Sequence, residues 1–141
     1  MAKRHGRKYL EAVQKVEAAL SANGDGGLDL VVTTVSNRAR IYRNVAGRRG
    51  HWLLVRAIDP ALGGRDVYGA EVIVHASGRD MYGWINPAYS FLCSNDPRAH
   101  FGLGELTKVE GIEVMWPGGK RERFPGTAAD RIVVLEKAKG Q

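Results

Sequence analysis

The apolar positions of this 141-residue chain change period once. Over residues 6–20 they fall at helical spacing. Tyr9, Leu10, Val13, Val16 and Leu20 recur near i, i+4, i+7 and i+11, and Ala12, Ala18 and Ala19 are good helix formers. This predicts a helix that stops near Ala22-Asn23-Gly24, where Asn and Gly favour left-handed termination. From Leu28 onward the period is that of strands. Residues 28–35 are an apolar β-branched run, and a turn at Ser36-Asn37 leads into residues 39–43, so the two segments read as a hairpin. Residues 44–50 form a Gly/Arg linker. Strands are expected at 51–58, 70–75, 81–85, 111–116, 120–124 and 131–135. Turn signals separate them at Gly63-Gly64, Ser77-Gly78, Asn86-Pro87, Asn95-Asp96-Pro97 and Pro125-Gly126. The tail, 137–141, is expected to fray.

Many short strands with regular turns predict a mainly β protein, a sandwich or barrel preceded by a helix and a hairpin. The boundaries fall at 1–22, 23–46 and 47–141. A hydrophobic content of 44% suffices for one core, and 18 glycines fit a turn-rich chain. The single cysteine, Cys93, excludes a disulfide-stapled scaffold. No segment is apolar enough to read as a membrane span. No apolar run follows the basic N-terminus, so no signal peptide is read there, and the chain as it stands is expected in the cytoplasm. The net charge is +6, and residues 1–17 carry five basic side chains against two acidic ones. That end could meet a polyanion, with Lys3, Arg4, Arg7 and Lys8 as candidate RNA contacts.

Four blocks carry a family resemblance: Arg65-Asp66-Val67-Tyr68-Gly69-Ala70, Tyr89–Ser94, His100-Phe101-Gly102-Leu103-Gly104 and Trp116-Pro117-Gly118-Gly119, with His51–Val55 ahead of them as the first strand. In this order they resemble the ASPIC/UnbV domain, which closes large secreted proteins built from FG-GAP (VCBS-type) β-propeller repeats. Upstream, Asn23-Gly24-Asp25-Gly26-Gly27-Leu28-Asp29-Leu30 is similar to the calcium loop of such a repeat, and Ile41-Tyr42-Arg43-Asn44 to its closing strand. The resemblance implies a fragment of a larger extracellular or periplasmic protein. It also implies a non-catalytic module that packs on a propeller or engages a protein or glycan. Residues 2–17 separately resemble the N-terminus of the first-numbered large-subunit ribosomal protein, an RNA binder.

The candidate chemistry is sparse. Calcium requires six to eight oxygens on a turning loop, and Asn23, Asp25 and Asp29 supply three, with Ser21 where an acid is expected. His51, His75 and His100 lack metal-ligand spacing. Glu105, Glu110 and Glu113 read as turn or solvent-facing residues and not as an acid–base pair. Ser90, Ser94 and Cys93 lack a nucleophile context. Gly102 and Gly104 read as turn glycines with positive φ, not as a phosphate loop. Arg65 and Asp66 are expected to form an ion pair fixing the loop before Gly69. Trp116-Pro117-Gly118-Gly119 reads as a hairpin turn with Trp116 at the core or rim. Tyr82, Trp84, Tyr89 and Phe91 are candidates for stacking on sugars or bases, with at least half of them expected in the core. No enzymatic activity is expected. RNA association through residues 2–17 is the alternative function, and a small hydrolase is a third, lacking any ordered nucleophile, base and orienter.

Overall fold

The computed structural model describes residues 24–34, 38–45, 50–89 and 94–141, and the backbone of 14–20. The chain divides into two compact units, Met1–Ala46 with Ala88–Asp96, and Gly47–Pro87 with Pro97–Gln141. The first unit holds three strands in the order β1-β2-β3: β1 (Gln14–Leu20), β2 (Asp29–Thr34) and β3 (Arg40–Tyr42). The expected hairpin is present, with Leu30 opposite Tyr42 and Val32 opposite Arg40. The expected helix is not. Residues 14–20 pair antiparallel with β2, with an irregularity between Val16 and Ala19, while 6–13 lie outside the described residues. Isolated helices shorter than about 12–15 residues are marginal. The edge of β2 offers these residues a backbone ladder instead. Among the described residues, no helix is long and apolar enough to cross a membrane.

The second unit is a sandwich of two sheets that do not close into a barrel. One sheet has the order β10-β9-β6-β7, built from β6 (Glu71–Ala76), β7 (Arg79–Trp84), β9 (Lys108–Met115) and β10 (Arg121–Ala128). In the other, β4 (His51–Asp59) is central. It pairs in parallel with β11 (Arg131–Glu136) on one side, and antiparallel with β5 (Arg65–Asp66) and β8 (Ala99–Gly104). Period-two alternation sends Leu53, Val55 and Ala57 of β4 to the interior. There they join Val72, Val74, Phe101, Leu103, Ile112, Val114, Trp116 and Leu135 in one core.

Three expectations change here. The segment His100–Gly104 is not a turn but most of β8. Phe101 and Leu103 point into the core and Gly102 is exposed, so the glycines occupy the outward positions of an alternating strand. Gly104 alone of the pair has the left-handed backbone, at φ +60°. Pro125-Gly126 is also no turn. Strand β10 runs through it, with Pro125 opposite Gly111 and Thr127 opposite Val109. The tail does not fray. Gln141 exchanges two backbone hydrogen bonds with Arg123, at 2.9 and 3.0 Å. The Ala138 N–H donates to the buried Glu122 carboxylate at 2.9 Å. Trp116-Pro117-Gly118-Gly119 does make the expected hairpin turn, closed by Trp116 N–H to the Lys120 carbonyl at 2.8 Å, and Trp116 is a core residue.

At Gly126 the backbones of β9 and β10 approach closely. A Cβ there would meet the carbonyl oxygens of Val109 and Glu110. Gly126→Ala is therefore expected to destabilise the domain by about 1–3 kcal/mol through forced backbone displacement. Urea denaturation of the variant checks this, and an unchanged midpoint would contradict the tight register of β9 and β10.

Candidate interaction surface

The outer face of the β10-β9-β6-β7 sheet gathers side chains that lie far apart in sequence. The register aligns Arg123, Glu113, Ile73 and Tyr82 in one row across four strands. A second row holds Arg121, Met115, Glu71 and Trp84, and a third Pro125, Gly111, His75 and Asp80. Adjacent strands lie about 4.8 Å apart, so the arginines and the aromatics stand roughly 14 Å apart at opposite edges.

Tyr82 and Trp84 are 63% and 58% exposed. The sequence predicted that at least half of the aromatic set would be core. On β7 the inward positions belong instead to Met81 and Gly83. A Cβ on Gly83 would lie 2.9 Å from Phe101 Cζ and 3.1 Å from Ala99 Cβ. Phe101 fills the space that a β7 side chain would otherwise occupy, and alternation turns both aromatics outward. Tyr89 is exposed and belongs to the first unit. Phe91 lies outside the described residues.

Glu113 is buried on this outer face, contrary to its reading as a solvent-facing carboxylate. Arg121 Nη1 and Arg123 Nε bond its two oxygens at 2.7 and 3.1 Å. The Arg123 guanidinium, aided by Arg121, holds its carboxyl below the usual range despite burial. The Arg123 side chain remains 81% exposed. In the next row, His75 Nδ1 meets Asp80 Oδ1 at 2.7 Å. Glu122 faces the opposite side. Burial acts to raise its carboxyl, but Lys120 and the Ala138 and Gly140 N–H groups prevail and hold it low.

The other predicted residues scatter. Asp66 does not pair with Arg65. Its carboxylate takes the Arg56 fork, Nε to Oδ1 at 2.7 Å and Nη2 to Oδ2 at 3.3 Å, because Arg56 sits beside it on the central strand. Arg65 instead stands opposite Asp59. The loop after Asp66 is fixed by backbone bonds from Val67 to Ala57 and from Gly69 to Ile85, with Gly69 at φ +86°. His51 Nδ1 meets Asp130 Oδ2 at 2.7 Å. His100 is half-buried opposite Leu54. Glu110 accepts from the Ser77 N–H, and Glu105 is exposed beyond the end of β8.

Lys3, Arg4, Arg7, Lys8, Ser21, Asn23, Ser90 and Cys93 lie outside the described residues, while Ser94 is exposed. In the candidate calcium loop, Asp25 Oδ1 accepts the Gly27 N–H at 2.9 Å and the buried Asp29 accepts the Asn44 N–H at 2.8 Å. The Asp25 bond makes an Asx-type turn, the Asp29 bond ties the loop to Asn44, and each carboxylate holds a backbone donor. Among the described residues, no three His, Cys, Asp or Glu side chains group as metal ligands.

The depressed carboxyls fix how stability depends on pH. Glu113 and Glu122 ionise at lower pH folded than unfolded. The unfolded chain therefore binds more protons in that window, and stability rises with pH. The contribution is complete above the ordinary glutamate range of about 4.3 and is lost as pH falls through the folded values. Urea midpoints measured from pH 7 to pH 3 are expected to fall steeply for the wild type, and less steeply for Glu113→Gln and Glu122→Gln. Parallel slopes would contradict this.

Comparison with known proteins bears out the family resemblance. The family model described as ASPIC and UnbV matches residues 62–141, more than half of the chain. Cartilage acidic protein 1 of Homo sapiens is 33% identical over 119 residues, covering 81% of this chain and 17% of that protein. The Xenopus tropicalis protein of the same name is 32% identical over 108 residues, covering 73% of this chain and 16% of that protein. The chain thus spans less than a fifth of these relatives. Through the domain formed by its second half, the chain belongs to the ASPIC and UnbV family.

Proposed function

We propose that the chain is a non-catalytic binding module, the C-terminal domain of a larger extracytoplasmic FG-GAP repeat protein. It engages a protein or glycan partner through the outer face of β6, β7, β9 and β10. One observation carries this reading: Tyr82 and Trp84 stand side by side on a single exposed strand face. Large exposed aromatics are costly to leave in water, and Trp, Tyr and Arg dominate binding hot spots. Family membership and the small share of each relative that the chain spans support a module within a larger protein.

The non-catalytic reading is supported by where the titratable groups go. The buried Glu113 on the outer face is held by two arginines, which keep it ionised. A nucleophilic mechanism would instead place a base against a hydroxyl or thiol.

The test screens the full chain, Tyr82→Ala and Trp84→Ala against an array of glycans and secreted-protein ectodomains. Each substitution is expected to weaken binding by about 2 kcal/mol. Stability should stay within about 0.5 kcal/mol, because both side chains are exposed. Partners bound equally well by wild type and both variants would overturn the assignment of this face.

A further inference from the structure

We propose that this face takes an acidic glycan, with sugar rings stacked on Tyr82 and Trp84 and a carboxylate or sulfate held by Arg121 and Arg123. The inference rests on the face being the binding surface and names the ligand class it fits.

The two ends of the face differ in chemistry. At the β7 edge, Tyr82 and Trp84 lie two residues apart on one strand, about 7 Å along it. Their rings offer apolar surface to the C–H faces of successive sugars. At the β10 edge, Arg121 and Arg123 share the single carboxylate of Glu113, which leaves an excess positive charge there. A guanidinium has five N–H donors, and the Glu113 contacts engage only Nη1 of one arginine and Nε of the other. The remaining fork geometry suits a second planar carboxylate or a sulfate. Glu71 and Asp80 lie in the aromatic half of the face, so repulsion directs an anionic group toward β10.

The centre of the face favours a glycan over a protein. Protein hot spots cluster near the centre of an interface and are fully desolvated. Here the exposed Arg121 and Arg123 guanidinium groups stand over the buried Glu113, and the exposed His75–Asp80 pair lies at one end of the face. Sealing those charges under a protein would cost their hydration. A hydroxyl-rich chain, with bridging water, bonds them where they are.

Titration calorimetry on the full chain tests this with three hexasaccharides: one from hyaluronan, carrying carboxylates; one from heparin, carrying sulfates as well; and neutral chitohexaose. Variants are Trp84→Ala, Arg123→Gln, and a fourfold Lys3→Gln, Arg4→Gln, Arg7→Gln, Lys8→Gln chain that removes the basic N-terminal charges. Arg123→Gln leaves Arg121 on Glu113, and a thermal melt verifies its folding. An acidic hexasaccharide is expected to bind about tenfold more tightly than chitohexaose, and Trp84→Ala to weaken it about thirtyfold. Arg123→Gln should erase the preference for acid, and the fourfold variant should change affinity by less than about twofold. The ranking of the two acidic sugars identifies the anion. Equal binding of neutral and acidic sugars overturns the acidic class. Binding that disappears in the fourfold variant but survives Trp84→Ala overturns the face as the glycan site. If no hexasaccharide binds, yet an ectodomain on the array binds and loses affinity in Trp84→Ala, the glycan is wrong and the binding face stands. If neither Tyr82→Ala nor Trp84→Ala alters any interaction, the face itself is wrong.

Discussion

The arrangement of the β domain turns on a missing side chain. At Gly83, strand β7 comes so close to Phe101 and Ala99 of β8 that a Cβ would collide with both. Phe101 crosses the interior and supplies the packing that β7 lacks. Once Gly83 is fixed inward, the pleat leaves Tyr82 and Trp84 no position except outward. The face opposite the core thereby acquires two large aromatics, and register with β6, β9 and β10 puts them on one surface with Arg121 and Arg123.

Two buried glutamates on β9 and β10 then tie the domain together from opposite sides of one sheet. Glu113 faces out and pairs with both arginines, placing their charge at the β10 edge. Glu122 faces in, and its oxygens accept the Ala138 and Gly140 N–H groups, fastening the last residues against β10. Unpaired, either carboxylate would be expensive to bury. Satisfied, they convert a polar liability into fixed geometry, one for the candidate surface and the other for the C-terminal tail.

Much of the strand layout was legible in the sequence, because alternation and turn residues mark strands with one buried face. The segments 51–58, 70–75 and 131–135 needed little adjustment. Strand β8 was hidden by its glycines, which read as turn residues although Phe101 and Leu103 already alternated as a strand would. Strand β10 was cut short at Pro125-Gly126 for the same reason. Residues 14–20 carry a helical period, yet pairing with β2 prevails over local preference. The candidate surface was half legible. Tyr82 and Trp84 could be assigned to one face, but not to which face, since that depends on Phe101 from a distant strand. Glu113 with Arg121 and Arg123, and Asp66 with Arg56, are pairings between strands, and no local pattern announces them.

The aromatic ridge faces water, and the chain carries its own probe. Of its three tryptophans, Trp52 and Trp116 are 8% and 1% exposed, whereas Trp84 stands out from β7. Iodide quenching of tryptophan fluorescence in the folded chain measures this directly. A red-shifted, quenchable component is expected that disappears in Trp84→Phe, leaving blue-shifted emission that iodide does not reach. A quenchable component that persists in Trp84→Phe, or a wild-type chain that iodide does not quench, would contradict it.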